Sequence, residues 1–311
     1  KVKENFETGQ TFLSKLPNYQ IHNNKLIFID ECSQIDSMLY KILQESVINC
    51  KIVYIGDHFQ LAPVFEKLSP IYKKETLFSQ LTQPMRNASQ PALMALCNQL
   101  RDTVETGVFM PIMPVPGVIE HLSGPDMEAG IYQTFINPDN KSRILCYSNN
   151  KVNEYNDHIR AIRGYTAQFQ PGEKVISASA HSNFKYKISI EQEFTIESVD
   201  SKISKHFLQS TQIEYYTVVL RDNSNGRIQI KIPLNKKYYL DLIKYYSKNR
   251  NWANYFQLKD TFPDIRPRDA STVYKAQGST YDSVFVDLND INKCKDANQV
   301  ARMLYVAVSR P

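Results

Sequence analysis

Apolar and polar positions change period several times along the chain, and each change predicts a new element. Leu26 to Ile29 is a run of four apolar residues that ends in the acidic pair Asp30-Glu31. Lys51 to Ile55 is a second short, mostly apolar stretch, ending in Gly56-Asp57, and between the two Ser37 to Val47 carries apolar residues at helical spacing. Strand, helix, strand is a βαβ unit, which implies a parallel sheet with its functional loops at the carboxyl ends of the strands. A further helix is predicted from near Ser89 and Pro91, where Leu93, Leu96, Cys97 and Leu100 recur on one face. Pro111, Pro114 and Pro116 then mark a loop. A strand at Arg143 to Tyr147, a Ser148-Asn149-Asn150 turn and a helix from about Val152 to Arg163 start a second α/β core, which begins near residue 87.

From about Pro171 to Ile265 the period turns to two, as in EFTIESV (Glu193 to Val199), YYTVVL (Tyr215 to Leu220) and RIQIKIP (Arg227 to Pro233). Asn223 to Gly226 supplies a hairpin turn between the last two. Lys236 to Phe262 returns to helical spacing, with Tyr238, Leu242, Tyr245, Trp252 and Phe256 on one face and Lys237, Lys244, Lys248 and Arg250 among them. Such a stripe serves packing more often than base stacking. The α/β pattern resumes at Arg266 and closes with a strand at Ser283 to Leu288. At the other end, Glu7-Thr8-Gly9-Gln10 reads as a turn between two short extended arms that contain Phe6 and Phe12, which predicts a small hairpin.

Length and composition narrow the class. The 311 residues suffice for two or three domains, and 42% hydrophobic with 22% charged residues is the balance of a soluble globular protein. No run of eighteen apolar residues crosses a membrane, and the first thirty residues lack a basic start followed by an apolar block. Five cysteines are scattered without a Cys-x-x-Cys pair, and the six histidines have no metal-ligand spacing. A disulfide framework and a zinc site are therefore not expected, and a reducing cytoplasm is. A net charge of +5 with pI about 8.7 permits a polyanionic partner without requiring one.

Four segments carry the candidate chemistry: LIFIDECSQID (Leu26 to Asp36), VYIGDHFQLAPV (Val53 to Val64), STVYKAQGST (Ser271 to Thr280) and LYVAVSR (Leu304 to Arg310). Each alone suits a strand and loop of an ordinary α/β protein. Together and in this order the chain resembles superfamily 1 DNA helicases at their motifs II, III, Va and VI, particularly the RecD and phage Dda-like branch. The resemblance implies an α/β fold of two RecA-like parallel-sheet cores, the first incomplete, with a β-hairpin insertion and an SH3-like β-barrel insertion. The expected domains are a pin hairpin over 1–22, the carboxyl-terminal part of the first core over 23–86, the second core over 87–170 and 266–311, and the inserted barrel with a helical extension over 171–265. A P-loop needs Gly-x-x-x-x-Gly-Lys-Ser/Thr, and none of the ten glycines lies in such a run. The expectation is that the phosphate cradle precedes Lys1 and that these residues alone are an inactive fragment.

On this resemblance the implied cofactors are ATP and Mg²⁺. Asp30 would hold the metal through its water shell and Glu31 would orient or deprotonate the attacking water. Gln60 would meet the γ-phosphate, Gly278 would line the nucleotide cleft, and Arg86 and Arg310 would stabilise charge on the transferred group from the opposite side. The acidic pair and Arg310 should then face each other across one crevice. Thr272, Tyr274 and Lys275 would face DNA, with Tyr274 standing where a histidine is usual in the family. Ser148 and Asn149 are candidates for the nucleic-acid backbone, against a plain turn-forming role, and Phe12 for a duplex-splitting wedge, against simple anchoring of its hairpin. The implied partners are single-stranded DNA and duplex junctions, with replication or recombination proteins, in the cytoplasm of a bacterium or phage-infected host, with movement 5′-to-3′. Two other readings stay open: a non-catalytic single-strand-binding pseudo-helicase, and an RNA-directed or protein-remodelling ATPase of the same fold.

Overall fold

The computed structural model describes residues 19–63, 66–73, 77–81, 89–182, 186–209 and 211–311, together with the backbone of 2–4 and 11–13. Strands β1 (Val2–Glu4) and β2 (Thr11–Leu13) pair antiparallel with Lys3 opposite Phe12. The predicted turn Glu7 to Gln10, Phe6 and the side chain of Phe12 lie outside the described residues, as does Arg86.

A first parallel unit follows, made of β3 (His22–Asn23), β4 (Leu26–Ile29), α1 (Ser37–Glu45), β5 (Val47–Ile48) and β6 (Lys51–Tyr54). β4 runs parallel to β6 from Leu26 opposite Lys51 to Ile29 opposite Tyr54, and β3 runs parallel to β5. Helix α1 starts at Asp36, whose carboxylate accepts from the Leu39 amide at 2.7 Å, a standard N-cap. It ends two residues earlier than its apolar period suggests, because β-branched Val47 and Ile48 enter β5. One face of the unit packs Ile29, Leu39, Leu43 and Tyr54 around buried Cys32, Ile35 and Ile71.

Next come α2 (Pro91–Thr106), α3 (Gly124–Phe135), β7 (Arg143–Cys146) and α4 (Asn149–Ile162). The extended region holds β8 (Lys174–Ser177), β9 (His181–Ser182), β10 (Lys187–Ile188), β11 (Glu193–Val199), β12 (Ser204–Leu208), β13 (Thr211–Arg221) and β14 (Arg227–Pro233). Then follow α5 (Lys236–Lys248), α6 (Trp252–Thr261), β15 (Ile265–Pro267), β16 (Ala270–Thr272), α7 (Val273–Ala276), β17 (Val284–Val286), α8 (Leu288–Ile291) and α9 (Ala297–Val308). The second parallel unit is the three-stranded sheet β16-β7-β17. It is wrapped by helices: α3 and α4 bring Ile131, Phe135, Val152 and Ile159 to one cluster, and α2 and α9 bring Leu96, Leu100 and Met303 to another.

The region between the arms of this second unit departs from expectation. A barrel would need its edge strands to pair; among the described residues β13 pairs with β11, β12 and β14, the path runs on through β8 to β15, and no ladder joins β15 back to β14 or β12. The SH3-like barrel expected over 171–265 is instead an open six-stranded antiparallel sheet. Two features favour the open form. β15 ends in Pro267, which has no N–H to offer another strand. α5 and α6 cover β12 and β13, where Tyr246, Tyr255, Leu258 and Phe262 bury Leu208 and Ile213.

One further reading is corrected, and two helices, α3 and α9, are not predicted from the sequence. The helical stretch Lys236 to Phe262 is two helices, broken at Arg250 in a left-handed conformation (φ 54°) and restarted by Asn251, which caps the Asn254 amide at 3.2 Å. LYVAVSR lies at the end of α9, in which every residue from Ala301 to Ala307 is buried. α3 carries no strong sequence signal, since it opens on Gly124-Pro125.

Candidate functional site

The acidic pair sits where β4 ends. The Ile55 amide donates to Ile29 O at 2.8 Å and the Cys32 amide to Ile55 O at 2.9 Å, so the chain leaving β4 turns sharply over the end of β6. Glu31 makes that turn in the left-handed region (φ 52°, ψ 39°), a conformation that costs a non-glycine residue about 1–3 kcal/mol. The Asp30 carboxylate offsets part of this by accepting from the Glu31 amide at 2.8 Å. Gly56 permits the close approach: a Cβ there would lie 2.7 Å from Cys32 Sγ and 3.0 Å from the Cys32 amide nitrogen. Burial pushes the Cys32 thiol above its ordinary range, and its partner is the Tyr72 hydroxyl at 3.3 Å. It is packing, not a nucleophile.

The second acidic strand end builds a turn. One Asp57 oxygen accepts from the Phe59 amide at 3.0 Å, and the Gln60 amide donates to Asp57 O at 3.1 Å. The Gln60 side chain is half-buried, and its Oε1 is buried without a hydrogen-bond donor among the described residues. α9 reaches this turn from the second unit: the Tyr305 hydroxyl donates to Asp57 Oδ2 at 2.6 Å, and the Arg302 guanidinium donates to the carbonyls of His58 and Gln60.

Opposite Glu31 lies the loop after α7. Gln277 Nε2 donates to Glu31 Oε2 at 3.0 Å and approaches Ser33 Oγ at 3.4 Å. Gly278 takes φ 82°, and a Cβ there would sit 3.8 Å from Glu31 Oε1, so its lack of a side chain keeps that space open. Arg310, 3% exposed, donates to Ser279 O at 3.4 Å and to Val306 O at 3.0 Å. Glu31 and Arg310, 279 positions apart in sequence numbering, thus meet the same three-residue loop, Gln277 to Ser279. Sequence reasoning placed Gly278 here and missed Gln277, whose amide is one of the few groups able to bridge a carboxylate on one side while offering an acceptor on the other.

The remaining candidates fall into different surroundings. Thr272 is buried at the end of β16 beside Cys146 of β7, and the Tyr274 hydroxyl takes a hydrogen bond from Gln299 Nε2 at 2.6 Å. The Lys275 ammonium is paired with Glu191 at 3.0 Å and donates to Ala178 O at 3.1 Å, tying this segment to the antiparallel sheet. Ser148 caps α4: its hydroxyl accepts from the Lys151 amide at 3.3 Å and donates to Asp290 Oδ1 at 2.9 Å, which employs it fully in the fold. Asn149, at the first turn of α4, is exposed.

Comparison with known proteins finds two similarities. The UvrD-like helicase C-terminal domain matches residues 269–310, the stretch that carries β16, the Gln277–Ser279 loop, α9 and Arg310. The ATP-dependent DNA helicase dda of Enterobacteria phage T4 is 21% identical over 323 aligned residues, spanning 92% of this chain and 73% of that protein. The chain is a distant relative of the superfamily 1 helicases.

Helicases of this kind use ATP with a divalent cation, and part of the site suits them. Among the described residues no cluster of three or more His, Cys, Asp or Glu side chains could hold a metal by itself. Mg²⁺ commonly keeps several waters and takes one or two carboxylates, which the exposed Asp30 can supply to this helicase relative. Two buried amide oxygens have no donor among the described residues, Gln277 Oε1 on the side chain that meets Glu31 and Gln60 Oε1 in the turn held by α9, and each can accept from a bound water. The phosphate-cradling run is the part that these residues do not contain.

Proposed function

We propose that the chain forms the hydrolysis and strand-engaging part of an ATP-dependent DNA helicase or translocase, built on two RecA-like cores and moving 5′-to-3′ on single-stranded DNA. One observation carries the reading: a strand-end glutamate from one parallel unit and a helix-end arginine from the other converge on the Gln277–Ser279 loop. Glu31 would orient the attacking water and accept its proton, while Arg310, swinging off Val306 O, would stabilise charge on the transferred phosphoryl group. Asp30 would hold Mg²⁺ through water, and the ion would neutralise phosphate charge there. Gly278 would line the cleft, Gln60 would meet the terminal phosphate, and Arg86 would approach from the junction between the cores. Thr272, Tyr274, Lys275, Ser148, Asn149 and Phe12 are proposed on the DNA side, with Ser148 acting through the turn it caps.

The test is hydrolysis and unwinding by protein expressed from the complete open reading frame. Expected are Mg²⁺-dependent ATP hydrolysis stimulated by single-stranded DNA more than by RNA, and unwinding of duplexes with 5′ tails. Unwinding of 3′-tailed substrates alone would refute the polarity, and stimulation by RNA alone would favour an RNA-directed ATPase. A second reading stays open, a strand-binding pseudo-helicase. A complete reading frame that also lacks the P-loop run, with salt-sensitive strand binding and no turnover, would establish it.

A further inference from the structure

The contacts between α9 and the Gln60 turn exceed what packing requires. Arg302 is 6% exposed, yet its guanidinium is directed at the carbonyls of His58 and Gln60, the latter at 2.7 Å, while Asn298 Oδ1 receives its Nε at 2.8 Å. Burying a guanidinium is costly unless its donors are well used, and here two of the acceptors belong to a four-residue turn on another unit. Tyr305, one helical turn further along the same face, donates to Asp57 Oδ2 at 2.6 Å and accepts from Arg101 Nη2 at 2.7 Å. The same Asp57 closes the turn through its other oxygen and the Phe59 amide. α9 ends at Val308, and Arg310, two residues on, is tied back to it by Nε donating to Val306 O at 3.0 Å.

We propose that Arg302 and Tyr305 are positioning residues that clamp the Asp57–Gln60 turn to α9 and so set where Gln60 stands relative to the end of the helix that precedes Arg310. The inference rests on the functional reading of Gln60 and Arg310 and adds the residues that set their relative position. Without the clamp the turn keeps its own Asp57 bonds but loses its register against α9. Tyr305→Phe removes one hydroxyl and leaves the ring against Phe59; Arg302→Gln removes the charge and one of the carbonyl contacts.

Two measurements test it. In the 311-residue chain without nucleotide, amide hydrogen exchange at Phe59 and Gln60 is expected to rise at least about fivefold in Tyr305→Phe, while amides of β7 stay unchanged. In protein from the complete reading frame, Tyr305→Phe and Arg302→Gln are each expected to lower kcat about tenfold with KM for ATP changed less than about twofold. In a Gln60→Ala background, Tyr305→Phe should then cost less than about twofold, because it acts through a side chain already removed. A full tenfold loss in that background, or unchanged exchange at Phe59 and Gln60, would overturn the clamp. If Gln60→Ala alone leaves hydrolysis intact, the nucleotide role of Gln60 fails, and the exchange measurement still decides the clamp. Should Arg302→Gln not fold, Tyr305→Phe carries both measurements.

Discussion

The two parallel-strand units carry related groups at their strand ends but differ in how they are buried. In the second unit all four residues of β7 are buried, and Ile144, Leu145 and Cys146 are fully so, with helices against both faces. In the first unit β4 alternates, leaving Leu26 58% and Phe28 62% exposed, and Val53 on β6 is exposed on the same pattern. Parallel strands are ordinarily covered on both faces. The first unit is therefore held less by its own core than by its neighbour: Leu61 is buried in the cluster of α2 and α9, and Gln277, Arg302 and Tyr305 all reach across to it. The difference teaches that site geometry depends on strand ends and the contacts they receive, and stability on how many faces are covered.

The largest expected effect separates these two properties. Glu31→Gln keeps the shape and the Gln277 contact but removes the proposed base, and should lower hydrolysis by the complete protein about 10²- to 10⁴-fold with little change in urea midpoint. Steady-state kinetics beside equilibrium unfolding checks this. A variant that loses stability and keeps its rate would place the chemistry elsewhere.

Next in size is a change confined to the second unit. Arg163 and Asp269 form a bidentate pair at 2.7 and 2.9 Å, with side chains 3% and 0% exposed. Asp269→Ala strands a buried guanidinium and should cost about 3–5 kcal/mol, read as a lower urea midpoint. A loss below about 1 kcal/mol would show that the second unit is not the better-consolidated of the two.

A smaller effect concerns the turn after β7. Asp290, almost fully buried, accepts from the amides of Tyr147 and Ser148 at 2.9 and 2.7 Å and from the Ser148 hydroxyl and Lys293. Burial alone would raise its pKa, but these hydrogen bonds from Lys293 and Ser148 outweigh it and hold the carboxyl below its ordinary value. A depressed folded value means that its stabilisation is present above the unfolded value of about 3.9 and is lost as pH falls through the folded one. Asp290→Ala should cost about 1–3 kcal/mol at pH 7, and Asp290→Asn should flatten the loss of stability below about pH 4. Thermal melts from pH 7 to pH 3 provide the comparison.

These contrasts also explain what could be read from the chain in advance. Leu26–Ile29, Glu193–Val199 and Arg227–Pro233 are strands at the residues expected, because short apolar runs and period-two alternation report local burial directly. LYVAVSR shows no helical period by itself because Leu304 to Ala307 are all buried, so that short run carries no exposed position to mark one face. The barrel misled because alternation reports strands and their faces, not whether the last strand meets the first. Among the candidates, Asp30, Glu31 and Arg310 stand out as strand-end or helix-end groups and Gln60 and Gly278 as turn residues. Gln277 on Glu31 and Tyr305 on Asp57 do not, because those contacts join residues 246 and 248 positions apart and depend on how the units dock.

The smallest expected effect bears on the uncovered face. Large-to-small changes in a packed core cost about 2–5 kcal/mol, because apolar area returns to water and a cavity remains. Phe28 is 62% exposed and leaves no cavity, so Phe28→Ser should shift the unfolding free energy of this chain by no more than about 0.5 kcal/mol, whereas Ile144→Ala on β7 should cost the full core amount. Both can be measured in one urea series. The same Phe28 change made in protein from the complete reading frame tells whether polypeptide outside these residues covers the face: a cost that rises to several kcal/mol there would mean that β4 becomes a two-sided strand, and an unchanged small cost would mean that the face stays in water.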